Sequence, residues 1–187
     1  MKKILVGAIV AGILIFLWQF LTWGALNLHK AQQQYTPKQD SVLSYLNSQF
    51  TEDGAYMLPT FAPGISDAEM ETQMKAMEGK PWAHVVYHKS MPGMDKMYMN
   101  MARGLLVDIV VAWMLIWILL KIPSPSFGTI FLATLAVGLI TFFTMPYTMH
   151  IWYGSFDLMV HFMDTIVTWS LVGAWLAWWL RRKTYNR

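Results

Sequence analysis

The sequence predicts a mainly α membrane protein: four transmembrane helices, with a small α+β domain between the first and second. Three observations lead there. Apolar stretches at Ile4–Leu26, Gly104–Leu120, Phe127–Met145 and Leu158–Leu180 reach or approach the length that crosses a bilayer as a helix, about 20 residues for a ~30 Å hydrocarbon layer. A polar segment, Asn27–Arg103, separates the first stretch from the second. Charged residues are only 13% of the chain against 56% hydrophobic, whereas soluble domains carry about 25% charge. The expected divisions are 1–26 for the amino-terminal tip and first helix and 27–100 for the polar domain. A three-helix region, 101–187, has spans near 103–121, 126–146 and 157–180 and ends in a basic tail.

Short-loop charge sets the expected orientation. Lys2 and Lys3 precede the first span, Lys121 lies in the short Lys121–Ser126 turn between the second and third spans, and Arg181, Arg182, Lys183 and Arg187 follow the last span. The connection Met149–Asp157 has no Lys or Arg. The positive-inside rule then places both termini in the cytoplasm and residues 27–102 outside, in the periplasm of a bacterial inner membrane. Trp23 and Trp152 fit the outer interface; Trp175, Trp178 and Trp179 fit the inner one. The first apolar run is longer than a signal-peptide core and lacks a convincing cleavage site, so it is expected to remain as an anchor. With a net charge of +3 and no basic patch, no nucleic-acid partner is expected. The chain has no cysteine, which excludes disulfides, thiolate catalysis, Fe–S clusters and zinc–cysteine sites.

The polar domain reads helix–strand–helix–strand. Thr36-Pro37-Lys38-Gln39 has the pattern of a cap, a first-turn proline and a capping-box glutamine, predicting a helix to about Ser48 with Val42, Leu43 and Leu46 turned inward. Ser66-Asp67-Ala68-Glu69 is a second capping box; Met70, Met74 and Met77 follow at helical spacing, and Gly79 stops the helix. Ala55–Leu58 and Trp82–His88 are the strand candidates. A helix between them predicts a parallel pair with a right-handed crossover. Two strands alone are marginal, so this domain is expected to need cover, from the outer ends of its own helices, a second copy or another protein.

Polar residues within the spans are the sharpest functional signal. Asp157, His161, Asp164 and Thr168 are spaced +4, +3 and +4, which places them within about a 60° arc of one helix face. Asp164 falls on the order of 10 Å below the start of its helix, and Asp108 about 8 Å below Arg103. Carboxylates at such depth are costly unless paired or watered. The expected cluster is Asp108, His161 and Asp164, with Asp157 and His150 at its mouth. The plainer reading makes Asp157 a helix cap and the others pins for helix packing. Thr134, Gly138, Thr141, Thr144 and Thr148 on the third span, and Gly7, Ala8, Ala11 and Gly12 on the first, read as close-packing faces.

A second signal is chemical. His84 and His88 precede a segment in which Met91, Met94, Met97, Met99 and Met101 crowd together. Thioether with imidazole is the donor set monovalent copper selects, so His84, His88, Met91, Met94 and Met97 form a candidate copper site. On a strand, however, His84 and His88 would lie ~13 Å apart. No phosphate-cradling glycine loop, nucleophile elbow, HExxH or EF-hand pattern occurs.

Trp18-Gln19-Phe20-Leu21-Thr22-Trp23, Gly54-Ala55-Tyr56-Met57-Leu58-Pro59, Lys80-Pro81-Trp82-Ala83-His84-Val85-Val86-Tyr87-His88 and His150-Ile151-Trp152-Tyr153 resemble pieces of a family of small four-helix bacterial inner-membrane proteins of no assigned function. The resemblance implies one amino-terminal anchor, an outer domain and three closing helices, and carries over no catalytic residue. The topology is also similar to that of claudin-like proteins, whose loop cysteines and Trp-Gly-Leu-Trp pattern this chain lacks. The leading expectation is a non-enzymatic accessory or scaffold subunit. The alternative is a metal- or proton-handling protein using the Asp/His cluster, and the third is a membrane enzyme at the same cluster.

Overall fold

The computed structural model describes residues 2–182; Lys183 and Arg187 of the expected basic tail lie outside them. In chain order the elements are α1 (Lys2–Phe20), α2 (Gln39–Gln49), β1 (Gly54–Leu58), α3 (Asp67–Met77), β2 (Ala83–Tyr87), α4 (Met94–Leu119), α5 (Phe127–Phe142), α6 (Thr148–Tyr153) and α7 (Leu158–Arg181). Four helical segments, Lys2–Ala25, Met94–Leu119, Phe127–Tyr153 and Leu158–Arg181, are long and apolar enough to cross a membrane. Their exposed surfaces carry large apolar side chains such as Leu5, Ile9, Leu17, Leu106, Trp113, Leu132 and Ile140, the face a bilayer solvates. The protein is thus a mainly helical, multi-pass membrane protein.

Two compact units make up the chain: Tyr35–Pro92, and a membrane unit built from the flanking segments up to Gln34 and from Gly93 onward. In the membrane unit α1 packs against both α4 and α7, α7 packs against α5, and α4 and α5 touch only marginally. The spans therefore form a row, α4–α1–α7–α5. Small residues allow the close approaches, as expected of helix pairs in lipid. A Cβ on Gly12 would lie 2.7 Å from the Ile109 backbone of α4. A Cβ on Gly138 of α5 would strike the Trp169 ring of α7. The core between the helices is Ala8, Ala11, Ile15, Ala112, Leu115, Ile116, Leu119, Ile130, Val172, Leu176 and Ala177. At one end of the α1–α7 pair the Trp175 and Trp179 indoles donate to the Gly7 and Lys3 carbonyls, and Lys3 Nζ donates to the Leu180 carbonyl.

Two of the spans extend well past their expected limits, and the first changes pitch within its own. α4 begins at Met94, ahead of the expected start near 103, so Met94–Met101 is part of the helix. The first span closes with a π-helical turn, Leu21–Ala25. The third continues beyond Met145 through a π-helical turn, Phe143–Tyr147, that holds Pro146, and reaches Tyr153. Hydroxyls turn back onto the backbone around it: Thr144 Oγ1 donates to the Ile140 carbonyl and Thr148 Oγ1 to the Phe143 carbonyl.

In the second unit β1 and β2 pair antiparallel, with Gly54 opposite Tyr87 and Leu58 opposite Ala83. This corrects the expected parallel pair. A crossover has a preferred hand because its helix packs back onto the sheet; α3 buries none of its residues, so nothing draws the chain across. The Ser66–Glu69 capping box forms as read, and the chain after α3 turns at Gly79 with φ +71°. The helix expected from Thr36 starts instead at Gln39, without a side-chain cap. Its Val42 and Leu43 are exposed, against expectation. The helix is anchored by its carboxyl end: Tyr87 Oη donates to Asn47, and the Phe50 ring stacks on Tyr56. A two-stranded sheet has too little face to cover more of it.

Candidate functional site

The chain turns back on itself directly after the first span. Asn27 adopts φ +46°, a left-handed conformation that asparagine tolerates better than most side chains. A short 3₁₀ turn, Leu28–Gln32, follows and carries His29 into the end of the bundle, where it is 1% exposed. There the imidazole lies between two carboxylates of the α7 end. Nδ1 is 2.6 Å from Asp157 Oδ2, and Nε2 is 2.9 Å from Asp164 Oδ2. His161 Nε2 approaches the same Asp157 Oδ2 at 3.4 Å. Ligand-type atoms of His29, Asp157 and His161 all lie within 4.8 Å of one another.

A ring of partners holds these groups. Gln32 Nε2 donates to Asp157 Oδ1 at 2.6 Å. Trp18 Nε1 donates to Asp164 Oδ1 at 3.0 Å, and Thr22 Oγ1 to Asp164 Oδ2 at 3.4 Å. The Trp23 ring stacks on His29, with centroids 3.8 Å apart and planes nearly parallel. The His29 and His161 rings are 4.8 Å apart. Burial pushes the Asp157 carboxyl upward, but the hydrogen bonds from His29 and Gln32 and the charge of the two imidazoles outweigh it and hold the group below the usual carboxylate range.

A cavity of about 380 Å³ adjoins the cluster, lined by His161 and Asp164 of α7, Asp108 of α4, Gln19 of α1 and Thr141 of α5. It occupies the space between the spans where α4 and α5 hardly meet. Asp108 is 7% exposed; its Oδ1 accepts a 3.5 Å bond from Gln19, and its Oδ2 is buried without a hydrogen-bond partner among the described residues.

The expected cluster is therefore brought together in part. Asp157, His161 and Asp164 converge, and Asp108 and Thr168 line the adjoining cavity. His150 lies elsewhere: its Nδ1 donates to the Ser155 carbonyl and closes the carboxyl end of α6. Asp157 does stand at the start of α7, yet its side chain makes no capping bond and serves the histidines instead. Thr134 and Gly138 pack into the helix interface, as expected. Of the candidate copper ligands, His84 lies within β2 opposite Met57, and His88, just past the strand, meets Asp53 at 3.3 Å. Met91 is almost fully exposed, and Met94 and Met97 lie exposed on the first turns of α4.

Sequence reading missed His29, the centre of the site. Two signals pointed to it. Trp18, Gln19 and Thr22 form a polar stripe on an otherwise apolar span, and Asn27, two residues before the histidine, is a residue suited to reversing the chain. Comparison with protein-family models, curated proteins and solved structures finds no match.

Proposed function

We propose that the protein is a bacterial inner-membrane protein that holds a cation, either a proton or a metal ion, at the His29 site. One observation carries the reading: both ring nitrogens of a buried imidazole face carboxylate oxygens. A neutral imidazole has one N–H and one lone pair, so one nitrogen would aim its lone pair at a carboxylate. At low dielectric that contact is strongly unfavourable, and a positive occupant between the two groups relieves it. The Asp108 Oδ2, which has no partner among the described residues, borders the adjoining cavity and supports the same sign of ligand. The distribution of Lys and Arg in the short loops favours a periplasmic position for the site and for residues 27–102, with both ends of the chain cytoplasmic. Nitrogen NMR of the histidines in the full chain, stripped of metal at neutral pH, tests the reading. His29 should carry protons on both ring nitrogens; a neutral ring in the stripped protein that also takes up no metal would reject it.

A second reading, an accessory or scaffold subunit, draws on the Tyr35–Pro92 unit. Tyr35, Leu43, Tyr45, Trp82 and Val86 are exposed outside the candidate spans, a surface fit for a protein partner or a second copy. A stoichiometric partner or a dimer in mild detergent would support it, and a lone monomer at all concentrations would count against it.

A further inference from the structure

We propose that the occupant of this site is a divalent transition-metal ion of the zinc class, held by His29 Nδ1, Asp157 Oδ2 and His161 Nε2. The inference rests on the cation reading above and goes on to name the cation. Ligands about 2.0–2.2 Å from a tetrahedral zinc ion lie roughly 3.3 Å from one another. His161 Nε2 and Asp157 Oδ2 are already 3.4 Å apart, while His29 Nδ1 and Asp157 Oδ2, at 2.6 Å, need open by less than an ångström.

The surroundings match what a metal-binding imidazole requires. Such a histidine donates its other ring N–H to a carboxylate, which fixes the tautomer and strengthens the ligand. Asp164 Oδ2, 2.9 Å from His29 Nε2, is that carboxylate, and Trp18 and Thr22 in turn hold Asp164. Gln32 ties down Asp157 Oδ1 and so leaves Oδ2 for the ion. The stacked Trp23 ring sets the plane of His29.

Charge favours a metal ion over two protons. To balance Asp157 and Asp164 with protons, both imidazoles must become cations, yet their rings are only 4.8 Å apart. One divalent ion balances the two carboxylates while both rings remain neutral. Two imidazoles and a carboxylate, without a thioether, suit borderline divalent ions and not monovalent copper. Three protein ligands leave a fourth position for water or another small ligand. The cavity lined by His161 and Asp164, with Asp108 on its wall, provides the room for it.

The test uses the full chain in detergent, stripped with chelator and titrated with Co2+ as an optical probe. Four-coordinate visible bands should grow to one Co2+ per chain and vanish on adding Zn2+. Asp157→Asn and His161→Gln should abolish them, Asp164→Asn should weaken Co2+ binding about 10–100-fold at unchanged stoichiometry, and His150→Gln should leave it intact. Tryptophan circular dichroism checks that each variant is folded. If the parent chain takes up no Co2+, or Asp157→Asn binds it equally, the metal assignment is overturned. The nitrogen spectrum of His29 then judges the broader reading: a doubly protonated ring keeps a proton site, and a neutral ring removes both.

Discussion

His29 and Asp157 stand 128 positions apart in sequence and 2.6 Å apart in space. The contact joins the turn after the first span to the start of the fourth. It ties one end of the α1–α7 pair, as Lys3, Trp175 and Trp179 tie the other. The same contact thus closes the bundle and builds the candidate site, so the proposed cation binding would be coupled to stability through one imidazole.

That coupling predicts an unequal response among the histidines. His29 and Asp157 have side chains 1% and 0% exposed, and removing one partner of a buried ionic pair costs about 3–5 kcal/mol. His29→Ala should therefore lose stability on that scale, measured by detergent-titrated unfolding in mixed micelles. His150→Ala loses a hydrogen bond to Ser155 and should lose about 1 kcal/mol. Comparable losses for the two variants would show that the His29 contact contributes nothing special.

The reach of the sequence follows the range of the forces involved. Spans are set by the local sum of apolar residues, and all four were legible. The alignment of Asp157, His161 and Asp164 follows from helical spacing alone. The Ser66–Glu69 box is equally local, and it formed. His29 was not legible because its place depends on one left-handed residue, Asn27, followed by a single 3₁₀ turn. Strand direction failed for a related reason. It depends on whether α3 packs on the sheet, and no pattern within α3 reports that. Val42 and Leu43 have the spacing of a buried stripe, but the sheet beside them is too small to bury it.

The closest approach of α1 and α4 gives a packing prediction. A Cβ at Gly12 would meet the Ile109 backbone at 2.7 Å, an atom that cannot swing aside. Gly12→Val should push the two helices apart and cost about 1–3 kcal/mol, as overpacking does. Gly24 has only the Phe20 ring nearby, at 3.7 Å, so Gly24→Ala should stay within about 0.5 kcal/mol. Unfolding titrations of the two variants side by side make the comparison, and a neutral Gly12→Val would contradict the close crossing.

The capping box gives the pH prediction. Hydrogen bonds from the Ser66 hydroxyl and backbone N–H hold the Glu69 carboxyl below its ordinary value near 4.5. A carboxyl depressed in the folded state stabilises above its unfolded value, and that contribution fades as pH falls through the folded one. Amide protection in the first turn of α3 should be constant from neutral pH down to about 4.5 and decline below it. In Glu69→Ala it should be lower at neutral pH and show no such decline, so that the two profiles converge in acid. A parent profile flat through pH 3, judged against exchange in unstructured peptide, would place the box outside the helix's stability.

Asp108 separates a structural from a functional reason for keeping a charge. Its Oδ2 is buried without a partner among the described residues, and the Gln19 bond to Oδ1 is long. A buried polar group left unsatisfied costs about 1–3 kcal/mol, so the fold alone gains from replacing it. Ile15 and Val111 line the same cavity and offer leucine an apolar setting. Asp108→Leu should accordingly unfold at higher detergent than the parent, with the gain near 1 kcal/mol. If the carboxylate eases a cation through the cavity, the same variant should take up Co2+ more slowly in stopped-flow mixing, with its His29 site and final stoichiometry unchanged. Greater stability with unaltered uptake would leave Asp108 without that role, and lower stability would mean that the carboxylate is already satisfied in the folded chain.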